Sequence, residues 1–163
     1  MNKIIITLLV FAMLCTFMLP VFATEKNVLP NFLQDIPADT IKDIEYHEDG
    51  SITVTTLEIL AECRATNTKT GKKTRTHYNA SGSVAFSVTN TSTFTYTGSS
   101  SSCTSVSASK SVSDTSWTVT TSTIISGRTG HVYYSAKQYH LGTLLNSTSD
   151  YVSITCSSTG VLS

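Results

Sequence analysis

Ser83-Val84-Ala85-Phe86-Ser87-Val88-Thr89-Asn90-Thr91-Ser92-Thr93-Phe94-Thr95-Tyr96-Thr97 is the stretch that decides the fold. Val84, Phe86, Val88, Phe94 and Tyr96 hold even positions, while Thr89, Thr91, Thr93, Thr95 and Thr97 hold odd ones. A period of two places one row against a core and the threonine row toward water, as a β-strand does. A slip of one residue would turn the apolar row to solvent, so the register is tightly specified. Asn90 and Ser92 interrupt the apolar face, and a bulge or strand break is expected near them.

The same pattern extends in both directions. Ile44-Glu45-Tyr46-His47 and Ile52-Thr53-Val54-Thr55 flank Glu48-Asp49-Gly50-Ser51, a hairpin signal because glycine tolerates the positive φ of a tight turn. Leu57, Ile59, Ala61, Cys63 and Ala65 alternate with Glu58, Glu62 and Arg64, and Lys69-Thr70-Gly71-Lys72 is expected to turn the chain. Gly98 to Ser102 reads as a loop. Later strands are expected over 104–112, 116–125, 131–139 and 151–156, with turns at Gly127-Arg128-Thr129-Gly130 and Leu141-Gly142-Thr143. Many short strands with polar turns and no helical period indicate a sandwich or barrel.

From Asn79 onward nearly half the residues are Ser or Thr, the composition of a disordered or glycosylated stalk. Pro20, Pro30 and Pro37 all lie upstream, however, and Phe86, Phe94, Tyr96, Trp117, Tyr133, Tyr134, Tyr139 and Tyr151 recur through this part. An unfolded segment has little use for such aromatics. The region is read as folded.

Met1-Asn2-Lys3, the apolar run Ile4–Leu19 and Val21-Phe22-Ala23 match a secretory signal peptide over 1–23, with cleavage after Ala23. The expected product is secreted and extracellular, with no membrane span after signal removal. Asp35-Ile36-Pro37-Ala38-Asp39 suits a short helical turn. Charge is unevenly spread. Residues 24–62 carry nine acidic and two basic side chains, whereas residues 63–163 carry two acidic and eight basic. Arg64, Lys69, Lys72, Lys73 and Arg75 are expected around one turn, as a solvated hairpin tip; the alternative is that the acidic arm folds back on the basic domain as a pro-segment or electrostatic latch. The near balance of charge gives no field suited to nucleic acid.

Signal removal leaves Cys63, Cys103 and Cys156. In an oxidising exterior one pair is expected. Bridging Cys103 to either partner is worth roughly 4 kcal/mol in the chain-entropy model, so loop length does not choose. Cys103 with Cys156 is the favoured disulfide, because Trp117 lies between them and Cys63 sits as a small hydrophobe on a strand face. Cys63 is then left for dimerisation. The order Cys103…Trp117…Cys156 resembles the immunoglobulin pattern of a tryptophan packed on an inter-sheet disulfide. Only residues 157–163 follow Cys156, which leaves no room for a final strand.

No catalytic constellation stands out. There is no Gly-x-Ser-x-Gly elbow, and His77, His131 and His140 lack zinc-site spacing. Asp114 and Asp150 fall at expected turns. No cofactor or metal site is expected, and the chain is read as non-enzymatic. Tyr133, Tyr139 and Tyr151 are the candidate ligand contacts, since exposed aromatics on β faces grip sugars or peptides. Tyr133 and Tyr134 must face opposite ways, and sheet packing is expected to bury both in part.

Phe94-Thr95-Tyr96-Thr97-Gly98, Cys103-Thr104-Ser105, Ser116-Trp117, Cys156-Ser157 and the closing Gly160…Leu162-Ser163 resemble a group of small secreted β-rich proteins of Gram-positive bacteria. The resemblance covers residues 80–163. It implies a bacterial exported β domain and the Cys103–Cys156 pairing, and it brings no activity with it.

The expected fold is all-β: an antiparallel β-sandwich, immunoglobulin-like in one variant, with a short acidic N-terminal arm. Its parts are a signal peptide (1–23), the arm and hairpin (24–56) and a Ser/Thr-rich sandwich domain (57–163). The expected function is an extracellular module that binds a glycan or protein. The alternative is the precursor of an antagonistic or signalling polypeptide, with residues 24 to about 62 as pro-segment.

Overall fold

The computed structural model describes residues 30–163. The expected signal peptide and arm residues 24–29 lie outside them. Two compact units divide the chain, Met1–Leu33 and Gln34–Ser163. In the described part of the first, Asn31–Leu33 form one 3-10 turn, closed by Leu33 N–H donating to the Pro30 carbonyl at 2.8 Å. In the second, the Thr40 N–H and hydroxyl both donate to the Pro37 carbonyl, so Pro37 opens a turn and not a helix.

Eight strands follow: β1 (Ile41–Tyr46), β2 (Ile52–Cys63), β3 (Thr68–Tyr78), β4 (Val84–Tyr96), β5 (Ser101–Val112), β6 (Trp117–Ser126), β7 (Thr129–His140) and β8 (Thr143–Thr155). They form two antiparallel sheets in sequential order, β1-β2-β3-β4-β5 and β6-β7-β8. The all-β sandwich is therefore as expected. Each sheet is a meander, which differs from the Greek-key connections of an immunoglobulin domain. Among the described residues the single passage between sheets is the corner Ser113–Ser116. There the Ser113 and Asp114 N–H groups donate to the Ala85 carbonyl, and Asp114 Oδ1 accepts the Ser116 N–H at 2.9 Å.

β4 is the centre of the core, and its even-numbered row faces the three-stranded sheet. Phe86 and Val88 pack with Trp117, Val119, Val132, Tyr134, Ala136 and Val152. Phe94 packs with Leu57, Cys103, Ile154 and Cys156. Asn90 and Ser92 lie between the two clusters, fully buried, and the strand runs through them without a break. The reason is hydrogen bonding across the sandwich. Asn90 Nδ2 donates to the Gly130 and Val152 carbonyls, both at 2.8 Å, and Ser92 Oγ donates to Asn90 Oδ1 at 2.6 Å. Buried polar groups that are fully paired incur little desolvation penalty. The expected bulge is present just beyond Ser92, where the β4–β5 register shifts between Thr93 and Phe94.

Gly71 is likewise corrected from turn to mid-strand. A Cβ there would fall 2.6 Å from Leu162 Cδ1, so the missing side chain makes room for the C-terminal tail. The turn before β3 comes earlier, at residues 64–67, where Asn67 takes φ 47°. Lys69, Lys72 and Arg75 are thus spread along β3 and not clustered at a tip. They meet Glu62 (3.4 Å), Glu58 (3.5 Å) and Glu45 (2.6 Å) of the two preceding strands. The acidic segment is neither latch nor separate arm over these residues; it supplies the strands that pair with the bases. On the face of Lys72, opposite to Lys69 and Arg75, threonines form rungs, Thr70–Thr93 and Thr74–Thr89, each at 3.0 Å.

The expected Cys103–Cys156 bridge is not formed. Both are buried free thiols in one cluster, and each Sγ donates to a backbone carbonyl at 3.3 Å, Ser105 for Cys103 and Ser157 for Cys156. Burial pushes both thiols up from their ordinary pKa, which keeps them protonated.

Candidate functional site

The three-stranded sheet is narrower than its partner. β8 lies over β3 and β4, so the inner face of β1–β3 runs on past the β8 edge and forms the floor of a trough. By strand parity that floor carries Asp43 and Glu45 from β1, Thr53 and Thr55 from β2, and Lys73, Arg75 and His77 from β3. Arg75 divides the trough. Its Nη2 reaches Glu45 Oε2 at 2.6 Å and Asp150 Oδ2 at 3.0 Å, tying β1, β3 and β8 together.

On one side of Arg75 is a cavity of about 410 Å³ lined by Lys42, Asp43, Lys73, Tyr151 and Ser153 among others. Lys73 is half-buried, and burial lowers its pKa, with the nearby Lys42 acting in the same direction. On the other side, a cavity of about 250 Å³ is walled by His47, Thr53, His77, Trp117, Tyr134 and Asn146. Here two imidazoles share one hydroxyl: His47 Nε2 and His77 Nδ1 lie 2.8 and 3.1 Å from Thr53 Oγ1. His77 stacks on Phe86 with centroids 5.1 Å apart and meets the edge of Trp117 at 5.4 Å. Burial, and then the charge of His47, hold His77 below its usual pKa. Thr53 is only 5% exposed, so its hydroxyl serves to orient the two rings. Among the described residues no cluster of His, Cys, Asp or Glu is arranged to hold a metal ion.

The outer face of the three-stranded sheet carries the predicted contact residues. Tyr133 and Tyr151 are directly opposite in the β7–β8 register, 41% and 52% exposed, with ring centroids 5.9 Å apart. His131 stacks on Tyr133 at 5.9 Å and meets Tyr151 at 6.2 Å. Ile124, opposite His131 on β6, extends this platform. Around it stand Ser122, Ser135, Ser149 and Ser153 of the same face. Tyr134 points inward and is buried, which corrects the expectation that both members of the Tyr133–Tyr134 pair are partly covered. Tyr139 is exposed but lies apart, opposite Leu144 near the β7–β8 turn.

Tyr133 and Tyr151 are therefore brought together and Tyr139 is not. The trough was missed because its walls come from β1, β2, β3 and β8, and only the pairing of distant strands assembles them. The one sequence signal was the uneven charge of residues 24–75. No family model matches the chain, and no curated protein or solved structure matches it either.

Proposed function

We propose that this chain is a secreted, non-catalytic module that binds an extracellular glycan on the open face of its three-stranded sheet. The observation that carries the reading is the cross-strand trio Tyr133, Tyr151 and His131, held at ring distances of about 6 Å on a regular sheet. Exposed aromatic rings on a rigid support present apolar faces to the CH faces of a sugar at little entropic cost. The surrounding serines supply short, adaptable hydroxyls for sugar oxygens. A flat polar sheet studded with rings suits a polymer lying along it better than a small molecule, which favours enclosed pockets. The precursor alternative has no observation in its favour, because the segment it would discard supplies β1 and β2.

The test is native gel electrophoresis through a panel of soluble polysaccharides. At least one is expected to retard the protein, and Tyr133→Ala or Tyr151→Ala to abolish most of that retardation while lowering the unfolding midpoint by no more than about 4 °C, the scale of one cross-strand aromatic pair. Retardation that is indifferent to both substitutions refutes the platform as the site.

A further inference from the structure

The trough adjoins the platform through one residue. Tyr151 stands in the aromatic trio and also lines the 410 Å³ cavity that holds Lys42, Lys73 and Arg75. The three cations are not equally engaged. Arg75 is paired with Glu45 and Asp150. Lys42 donates to the Asp39 carbonyl at 3.2 Å and keeps two ammonium hydrogens free. Lys73 has no hydrogen-bond or contact ion-pair partner among the described residues, although it is half-buried; the Asp43 carboxylate offsets burial and Lys42 only in part. A partly desolvated ammonium beside a second cation is costly unless an anion completes the set.

The edge of β8 adds neutral donors. Thr155 exchanges both its backbone groups with Ser163, and the Tyr151 N–H turns to Asp150 Oδ1 at 2.7 Å instead of to β7. Odd-numbered residues of β8 therefore direct their main-chain groups to the free edge. Ser153 lies between these two and lines the cavity, so its N–H faces the same space as Lys73. Thr55 contributes a hydroxyl from the floor. Ammonium groups, a backbone N–H and a hydroxyl around one concavity form a receptor for an oxyanion.

We infer that the glycan is anionic: a carboxylate, sulfate or phosphate of the polymer enters the trough between Lys73, Lys42 and the β8 edge, while a neighbouring sugar ring lies on Tyr151. This rests on the glycan-binding reading and narrows its ligand class. Asp43 and Asp150 also line the cavity. They limit it to a group that reaches the cations directly and discourage loosely held polyanions.

Three polymers of one backbone test it: dextran, carboxymethyl dextran and dextran sulfate, with inorganic phosphate as a small-ion arm. Carboxymethyl dextran or dextran sulfate is expected to bind at least ten-fold more tightly than dextran. Lys73→Met should weaken that binding about ten-fold and Tyr151→Ala at least five-fold. Lys73→Met relieves a buried charge, so its folding is not at risk. Arg64→Gln, at the exposed β2–β3 turn, should change nothing. Millimolar phosphate should compete in the wild type and not in Lys73→Met.

Equal binding of dextran and its charged forms, lost in Tyr151→Ala, overturns the anionic class and leaves the glycan module standing. Equal weakening by Arg64→Gln and Lys73→Met shows diffuse attraction and overturns the trough as receptor. No retention by either charged polymer overturns the inference, while retention of any neutral glycan in the wider panel would still support the platform.

Discussion

Replacing Asn90 by leucine tests how the two sheets are joined. Asn90 is fully buried on β4, and its amide nitrogen donates to the carbonyls of Gly130 on β7 and Val152 on β8. Its oxygen accepts the hydroxyl of Ser92, which is itself fully buried. Leucine has the same number and branching of heavy atoms, so the space stays filled and the main loss is polar. Three hydrogen bonds vanish at about 1 kcal/mol each. The Ser92 hydroxyl is stranded as well, which adds about 1 kcal/mol or more. The expected loss is about 4 kcal/mol, a large part of the 5–15 kcal/mol typical of a domain.

Equilibrium urea unfolding followed by Trp117 fluorescence measures it, since the single tryptophan lies in the core beside β4. Ser92→Ala alone should cost about 1 kcal/mol for its one bond. The double variant should be less destabilised than the sum of the singles by about 2 kcal/mol, because the shared bond is lost only once and no hydroxyl is left stranded. A loss below about 1 kcal/mol for Asn90→Leu at unchanged denaturant slope would refute the view that this amide pins the sandwich.

Gly130→Ala should destabilise strongly, by at least about 2 kcal/mol, because its Cβ would collide with Ser92 Oγ and lie 3.2 Å from Cys103 Sγ; a melting temperature within 2 °C of wild type, on the usual scale of about 4 °C per kcal/mol, would contradict the close approach. His77 is held below its usual pKa by burial, so the unfolded chain binds its proton more readily. Stability should be full above pH about 6.5 and fall as pH drops below it, with a slope from this group of at most about 1.4 kcal/mol per pH unit. His77→Gln should flatten that part of the profile, and an unchanged slope between pH 5 and 6.5 would exclude the assignment. Cys63 is exposed, and hydrogen bonds from Thr66 lower its thiol pKa, while the other two thiols are buried. A thiol reagent should therefore modify Cys63 at once and Cys103 and Cys156 only after unfolding; any disulfide dimer on a non-reducing gel should vanish in Cys63→Ser. Cys103 and Cys156 both staying unmodified in the denatured, unreduced chain would show that they are bridged.

The strands were legible where one side of a sheet is dry and the other wet. β4 through β7 were anticipated within a few residues because their parity is strict, and Val132, Tyr134 and Ala136 are all buried as that parity requires. β8 was anticipated only from Tyr151, although it begins at Thr143. Its first half, Leu144-Leu145-Asn146-Ser147-Thr148-Ser149, is exposed on both sides and so has no alternation to read. Gly71 misled for a related reason. A glycine between lysines resembles a turn, and only the fold shows that Leu162 occupies the space its side chain would need. Asn90 and Ser92 looked like defects in an apolar row because the partners of Asn90 lie 40 and 62 residues away and Ser92 is satisfied only through Asn90. Of the candidate site, Tyr133 and Tyr151 were visible as aromatics, but their pairing needed the β7–β8 register.

The charge distribution links fold and site. Acids on β1 and β2 meet bases on β3; the half-exposed Lys72–Glu58 contact is worth at most about 1 kcal/mol, while Lys69 and Arg75 are largely covered and reach toward partly exposed carboxylates. Their value lies less in stability than in register, because a shift of one residue would move every base away from its acid and across the sheet. Lys73 breaks the pattern. Its partners in the β2 and β4 ladders are Leu57 and Asn90, neither of which carries a charge. A row of bases that otherwise touch acids thus leaves one half-buried cation with no acid in contact, in the cavity that Tyr151 also lines. Filling that gap from within would need only an acid at position 57, yet Leu57 serves the core cluster there. The unmatched charge is therefore directed outward to the trough, where an anionic ligand can complete the row that the chain leaves open.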